Sequence, residues 1–86
     1  MPIEDAIDLH PFAPREVVEV VRSYLEAARE RGLREVRLIH GKGIGTQRER
    51  IRSLLATLPE VAAFDDAPAD RGHWGATIVR LRSLSD

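Results

Sequence analysis

The sequence predicts a two-layer α/β domain, an α+β sandwich in which two helices cover one face of a four-stranded mixed sheet. Two segments carry apolar residues at three- to four-residue spacing, which is typical of amphipathic helices. Four short segments are rich in alternating or β-branched apolar residues, which is typical of strands. Their order is β-α-β-α-β-β, and each strand–helix–strand unit favours parallel strands joined by a right-handed crossover. Amphipathic helices then need one sheet face to cover.

The first half of the chain predicts a strand, a helix and a second strand. Ile7–His10 alternates apolar and polar residues, and Pro11 ends it because proline cannot donate to a sheet. A helix is predicted over Arg15–Arg31, with acids near its start and arginines near its end. Gly32 suits the position after its last turn. Val36–Ile39 then predicts the second strand.

The second half predicts a shorter helix and two more strands. The helix begins at Thr46 or Gln47 and ends at Leu58, because Pro59 stops it. Two strands follow, over Val61–Asp65 and Ala76–Leu81. The polar segment between them, Asp66–Trp74, is predicted to be a loop.

Length and composition predict one globular domain over residues 1–86, with a core of about residues 5–82. Of the 86 residues, 43% are hydrophobic and 31% are charged, as in ordinary soluble proteins. The absence of cysteine excludes disulfides, thiolate metal sites and a cysteine nucleophile. We see no secretory signal and no apolar run near the roughly 20 residues of a membrane helix, so we expect a cytoplasmic protein.

The charge balance bears on the class of partner. Thirteen Lys and Arg oppose fourteen Asp and Glu, for a net charge of −1. Proteins that hold nucleic acid by their overall field are strongly basic, so any such binding here requires a local cationic patch. Every cation except Lys42 is an arginine, whose planar fork matches phosphate or carboxylate.

Three polar side chains are predicted to lie at one edge of the sheet. The first helix connects parallel strands, so the carboxyl ends of both strands lie at the same edge, where open α/β sheets bind ligands. His10 ends the first strand and His40 ends the second. Asp8 precedes His10 by two residues and therefore shares its face of the strand.

A glycine-rich turn over residues 41–45 follows the second strand at this edge. Its amides and the N-terminus of the next helix suit an anion, although it is neither a Walker loop nor a dinucleotide fingerprint. The alternative for the turn is a tight connection that needs positive φ. We expect Arg50 to lie on a solvated helix surface, and the same alternative stays open for Arg52. The predicted phosphate- or nucleic-acid-binding residues are Gly41, Lys42, Gly43, Gly45, Arg48, Arg52, His73 and Trp74.

Two of these residues and the histidines allow other interpretations. Trp74, beside His73, would stack on a base or pack back over the sheet. The chain has three histidines, but no compact His-x-x-x-His pair, so no metal site is predicted.

Three segments resemble the signature segments of the Smr (small MutS-related) domain family. They are Ile-Asp-Leu-His at 7–10, His-Gly-Lys-Gly-Ile-Gly-Thr-Gln-Arg at 40–48 and Gly-Ala-Thr-Ile-Val-Arg-Leu at 75–81. The resemblance implies the fold of the C-terminal domain of translation initiation factor three. It also implies nucleic-acid binding, and for many members endonuclease activity that nicks DNA or cleaves RNA, in some cases on messenger RNA at stalled ribosomes.

The family's motif residues map onto this chain one by one. Its Asp-x-His corresponds to Asp8 and His10, its His-Gly-x-Gly to His40, Gly41 and Gly43, and its following arginine to Arg48. The chain departs from the pattern after His10, where Pro11 replaces the usual glycine. It also lacks the longer protein that often carries the domain, so we expect a stand-alone short member.

The first functional hypothesis is an endonuclease with Asp8, His10 and His40 as catalytic residues. His10 would be the general acid or base, oriented by Asp8, and His40 the second acid–base candidate. Lys42, Arg48 and the glycine amides would bind the scissile phosphate. RNA cleavage through the 2′-hydroxyl needs no cofactor, whereas DNA cleavage would need an activated water, with Mg²⁺ as a candidate cofactor.

The second hypothesis is a non-catalytic module that binds DNA, RNA or a ribosomal surface with the same residues. A nucleotide site or a protein adaptor ranks third. We expect nucleic acid, with the ribosome as a candidate, and no membrane among the partners. So short a chain offers little surface for a long substrate, so we expect a monomer or a weak homodimer.

Overall fold

A computed structural model describes residues 5–41, 46–71 and 75–83 of the chain. The strands and helices follow the predicted order, with two short 3₁₀ helices added. The strands are β1 (Ala6–Asp8), β2 (Glu35–Ile39), β3 (Val61–Asp66) and β4 (Ala76–Leu81). The helices are α1 (Val17–Glu30) and α2 (Thr46–Leu55), and the 3₁₀ helices are Pro14–Glu16 and Ala69–Arg71. Within these ranges no helix is long and apolar enough to cross a membrane.

The four strands form one mixed sheet in the order β1-β2-β4-β3, which confirms the predicted architecture. β1 and β2 are parallel, and β4 runs antiparallel to both β2 and β3. The carboxyl ends of β1, β2 and β3 and the first residue of β4 therefore lie at one edge of the sheet. We call this edge, which ends at Asp8, Ile39, Asp66 and Ala76, the site edge.

Both helices pack on the same face of the sheet. Side chains from α1 and α2 share one buried cluster with alternate residues of β2 and β4, such as Leu38 and Val79. The helical members of this cluster are Val17, Val21, Leu25 and Ala28 from α1, and Ile51 and Leu55 from α2. Their three- to four-residue spacing is the pattern that predicted the helices.

β1 ends at Asp8, two residues earlier than predicted, and the chain beyond it is held in a turn by the Asp8 side chain. Its carboxylate accepts the backbone N–H of His10 at 2.9 Å. The carbonyl of Leu9 then accepts the N–H of Phe12 at 3.2 Å. The chain therefore turns at His10, as aspartate commonly makes it do.

α2 ends at Leu55 rather than at the predicted Leu58. The backbone N–H and the hydroxyl of Thr57 both donate to the carbonyl of Leu54, at 2.9 and 2.7 Å. The N–H of Leu58 donates to the carbonyl of Leu55 at 3.3 Å, which continues this i→i−3 pattern. Leu58 still belongs to the core, with 9% of its surface exposed, so apolar spacing alone made the helix look longer.

The other boundaries shift by smaller amounts. The predicted helix over Arg15–Arg31 begins instead with the 3₁₀ helix Pro14–Glu16, where the Glu16 carboxylate accepts the N–H of Ala13 at 2.9 Å. The predicted loop over Asp66–Trp74 loses Asp66 to β3 and contains the 3₁₀ helix Ala69–Arg71.

We predict that Leu25→Ala lowers the free energy of unfolding by about 2–5 kcal/mol, because it leaves a cavity in the cluster shared by both helices. Leu25 is fully buried, at 0% exposure. Urea unfolding followed by circular dichroism measures the change. The control is Glu26→Ala, an exposed position on the same helix, which should change stability by less than about 0.5 kcal/mol. Equal losses in the two variants would contradict the shared core.

Candidate functional site

Asp8 and His10 form a hydrogen-bonded pair at the site edge, here called the dyad. Oδ1 of Asp8 lies 2.6 Å from Nδ1 of His10 and also accepts the backbone N–H of His10 at 2.9 Å. An ionised carboxylate only accepts, so Nδ1 of His10 carries a proton. Both side chains are more than half exposed, at 56% for Asp8 and 58% for His10. The dyad thus presents an oriented imidazole to solvent.

The dyad also controls the charge of Asp8. The backbone N–H of His10, and then its ring, lower the pKa of the Asp8 carboxyl below its ordinary value of 3.8. Asp8 is therefore ionised at neutral pH. Of the two neutral tautomers of His10, the carboxylate on Nδ1 selects the one in which Nδ1 carries the proton and Nε2 holds a lone pair.

Gly41 lies directly against the other ring nitrogen of His10. A Cβ atom at Gly41 would lie 2.5 Å from Nε2 and 3.1 Å from Cε1 of His10. Gly41 also has φ of 84°, in the left-handed region that favours glycine. The positive φ favours glycine here, and a larger residue would displace the His10 ring. The contact places Nε2 of the dyad beside the start of the glycine-rich turn.

A single carbonyl joins the end of β2 to the start of β4. The carbonyl of Gly75 accepts the N–H of His40 at 3.1 Å and the N–H of Gly41 at 2.8 Å. Residues 40–41 and residue 75, which belong to separate predicted motifs, are thereby held together at the site edge.

His40 lies at the site edge, as predicted, but its ring is buried, with 7% of the residue exposed. Its Nδ1 lies 3.0 Å from the carbonyl oxygen of Gly41, and its Nε2 lies 2.9 Å from the hydroxyl of Thr77. Burial is the main cause that lowers the pKa of His40 below its ordinary value of 6.5. Arg48 and Arg52 act in the same direction, while the Gly41 carbonyl and Asp66 oppose them. His40 is therefore neutral at neutral pH.

The two predicted phosphate-binding arginines of α2 converge on Asp66, at the end of β3. Nε and Nη2 of Arg48 donate to Oδ1 of Asp66 at 3.2 and 2.8 Å, and Nη1 of Arg52 donates to the same oxygen at 3.2 Å. Arg52 also lies over the ring of Phe64, 5.2 Å from its centroid. We call these three charged residues the Arg48–Asp66–Arg52 cluster. Arg50 differs: it donates to the carbonyl of Pro14 at 3.1 Å.

Sequence reasoning missed Asp66 and Thr77. The sequence pattern places Asp66 at the start of a loop, directly after a predicted strand. That position after a strand was the one signal that Asp66 lies at the same edge as Asp8 and His40. Thr77 lies opposite Leu38 and beside Asp66 in the sheet register, so it faces the helices. Neither the order of the strands nor their register can be read from a single segment of the sequence.

The remaining predicted site residues lie outside the described part of the chain. They are Lys42, Gly43, Gly45, His73 and Trp74. Their described neighbours Gly41 and Gly75 are joined by a hydrogen bond. Within the described ranges, no group of three or more His, Asp or Glu side chains is arranged to hold a metal ion.

Comparison with known proteins relates this arrangement to a family. The model of the Smr domain family matches residues 7–82, nearly the whole chain. The chain belongs to the Smr domain family. It is 42% identical over 76 residues to "Endonuclease MutS2" of Thermus thermophilus, and 39% identical over 80 residues to the protein of the same name from Caldicellulosiruptor saccharolyticus. These matches cover 88% and 93% of this chain but only 10% of each relative, so the chain spans about a tenth of their length.

Solved structures agree with the Smr assignment. The Smr domain of Thermus thermophilus MutS2 has a TM-score of 0.87 and 40% identity, covering 92% of this chain and 99% of that one. YdaL, a stand-alone small MutS-related protein from Escherichia coli, has a TM-score of 0.80 and 31% identity. That match covers 95% of this chain and 67% of YdaL.

We predict that Gly41→Ala displaces the ring of His10, because the new methyl group would overlap Nε2. Gly32→Ala is the matched control, since Gly32 has φ of 82° but nothing within 4 Å of the added Cβ. Both variants should lose about 1–2 kcal/mol of stability from backbone strain. Only Gly41→Ala should shift the ring resonances of His10 in NMR spectra. Equal His10 spectra in the two variants would show that the contact with Gly41 does not position the ring.

We predict that the free energy of unfolding decreases as the pH is lowered, because His40 titrates. Because the folded pKa is lowered, the unfolded chain binds this proton first, so stability is lost as pH falls below about 6.5 and levels off below the folded pKa. NMR titration of the His40 ring should give a midpoint below 6.5. Urea unfolding between about pH 7.5 and 5 should show a smaller decline in His40→Gln than in the native chain. A midpoint at or above 6.5 would contradict the prediction.

Proposed function

We propose that this Smr domain is an endonuclease that cleaves phosphodiester bonds with the Asp8–His10 dyad, preferentially in RNA. The observation that carries the proposal is the geometry of His10: Nδ1 is held by Asp8 at 2.6 Å, while Nε2 lies beside Gly41 at the glycine-rich turn. Within the described residues no hydrogen bond to Nε2 is found, and 58% of the His10 side chain is exposed to solvent. The relatives named as endonucleases support the same class of reaction.

In RNA, the 2′-hydroxyl supplies the nucleophile. Nε2 of His10 accepts the proton of this hydroxyl, and the 2′-oxygen forms a bond to phosphorus as the bond to the 5′-oxygen breaks. The leaving 5′-oxygen takes a proton from a water molecule at the exposed dyad, and the resulting hydroxide takes the proton from Nε2, which restores the neutral ring. Asp8 holds the imidazole in the required tautomer and stabilises the imidazolium that forms. This reaction needs no cofactor, whereas DNA cleavage would need an activated water and Mg²⁺.

Arg48 and Arg52 supply the cationic surface of the proposed site. Their side chains are 26% and 28% exposed, and Asp66 organises both guanidinium groups before a substrate arrives. Both donate to Asp66, which ends β3 at the site edge, so they lie near the edge that carries the dyad. We assign to these two arginines, with Lys42, Gly43 and Gly45, the binding of phosphate, and to His73 and Trp74 the contact with a base.

A non-catalytic nucleic-acid-binding module is the second candidate, and Pro11 favours it. Pro11 follows His10 directly and has no backbone N–H, so it cannot donate a hydrogen bond to a phosphate next to the dyad. The arginines would serve binding equally well without catalysis.

Cleavage assays with active-site variants test the proposal. End-labelled RNA and supercoiled DNA are incubated with the chain, with and without EDTA. We expect RNA cleavage that resists EDTA and falls by about 10²–10⁴-fold in Asp8→Ala and His10→Ala, because general acid–base catalysis is lost. Asp5→Ala, an exposed aspartate at the opposite end of β1, is the matched control and should cleave normally.

The outcomes separate the two candidate functions. Cleavage that survives in both Asp8→Ala and His10→Ala would exclude the dyad as the catalytic group. Binding without cleavage, weakened by salt and by Arg48→Ala, would instead support the binding module. Loss of one phosphate contact in Arg48→Ala should lower the slope of log affinity against log salt concentration by about 1.

A further inference from the structure

Both ring nitrogens of His40 are engaged inside the protein. Nδ1 lies 3.0 Å from the carbonyl of Gly41, and Nε2 lies 2.9 Å from the hydroxyl of Thr77, which is completely buried. A carbonyl only accepts, so Nδ1 carries the proton. In the neutral ring, the hydroxyl of Thr77 therefore donates to Nε2. Neither nitrogen has a free lone pair or proton to exchange with a substrate.

Two hydrogen bonds, one from the His40 ring and one to the carbonyl of Gly75, fix the conformation of Gly41. The N–H of Gly41 donates to the carbonyl of Gly75 at 2.8 Å, and its carbonyl accepts Nδ1–H of His40. With both of its peptide groups bonded, Gly41 is held at φ of 84°. In this conformation its Cα faces the ring of His10.

We propose that His40 and Thr77 act together as positioning residues: they hold Gly41 against His10 and so aim the dyad, and His40 does not exchange a proton with the substrate. The proposal rests on the proposed function, because the dyad is the group being aimed. It gives a role to Thr77, which lies in the third signature segment but is not among the predicted site residues. It also replaces the acid–base role that the sequence suggested for His40. A displacement of a catalytic group by about 1 Å is enough to slow a reaction by about 10²-fold.

The test compares Thr77→Val, Thr77→Ser and Thr57→Val in NMR spectra and in RNA cleavage. Thr77→Val removes the hydroxyl but keeps the shape, and Thr77→Ser keeps the hydroxyl. Thr57→Val is the matched control, because Thr57 is exposed, lies beyond the other end of α2, and also donates through its hydroxyl.

NMR gives a readout that does not depend on activity. In the native chain, ¹⁵N correlation spectra should show His40 in the Nδ1–H tautomer. In Thr77→Val, the Gly41 amide and the His10 ring resonances should shift, whereas Thr77→Ser and Thr57→Val should leave them near their native positions. A proton on Nε2 of neutral His40, or unchanged Gly41 and His10 signals in Thr77→Val, would overturn the proposal.

Kinetics separates positioning from proton transfer. Thr77→Val should lower kcat by about 10- to 100-fold with a smaller change in KM and an unchanged shape of the pH profile, and Thr77→Ser should restore most of kcat. A pH profile that loses one limb when His40 is replaced by Gln would show proton transfer by His40 and overturn the proposal. If Thr77→Val does not fold, the tautomer in the native chain and the behaviour of Thr77→Ser still decide. If the native chain does not cleave RNA, the proposed function fails, and the NMR results alone support or overturn the positioning role.

Discussion

The parallel pairing of β1 with β2 is the constraint on which the candidate site depends. Its register sets Asp8 opposite Ile39, so both strands stop at the same level. The backbone leaves the sheet at this level after each strand, and a histidine lies near each exit: His10 after β1 and His40 after β2. A parallel pair requires a long crossover connection, which α1 supplies, and the burial of α1 against the sheet holds the two strands in register. The stability of the core and the geometry of the dyad are therefore linked.

Two histidines at the same edge have opposite environments and therefore different chemistry. His10 is exposed and held by an anion, which suits proton exchange with a substrate. His40 is buried between a carbonyl and a hydroxyl, which keeps its ring neutral and both of its ring nitrogens hydrogen-bonded. Gly41 connects them, since its carbonyl contacts one ring and its Cα faces the other. Glycine can lie between the two rings because it has no side chain that would collide with His10.

Much of this arrangement was predictable from residue patterns, and the exceptions have physical causes. Apolar periodicity predicted every strand and both α-helices, because burial against one shared core imposes it. The predicted end of α2 was wrong because the Thr57 hydroxyl competes for the carbonyl of Leu54, and that of β1 because the chain turns at His10 around the Asp8 carboxylate. Periodicity registers neither contact. His10 and Asp8 meet as the spacing predicted, but through a turn rather than along a strand.

The pairings between distant segments could not be predicted in the same way. Thr77 meets His40 only because β4 inserts between β2 and β3, and Asp66 reaches Arg48 only because β3 continues to that residue. These contacts follow from strand order and register. An isolated motif of the sequence contains neither. The predicted roles of Lys42 and Trp74 remain predictions, since these residues lie outside the described ranges.

Asp66 gives the cationic surface a further property. A single carboxylate oxygen receives three N–H groups from Arg48 and Arg52. The two long side chains are thus already ordered, so binding of an anion would lose little of their rotational entropy. The same carboxylate removes one unit of charge from the pair, so an anion leaves more readily than it would from two unopposed arginines. In the proposed endonuclease, such a surface would release its ligand and return to the same geometry, as repeated turnover requires.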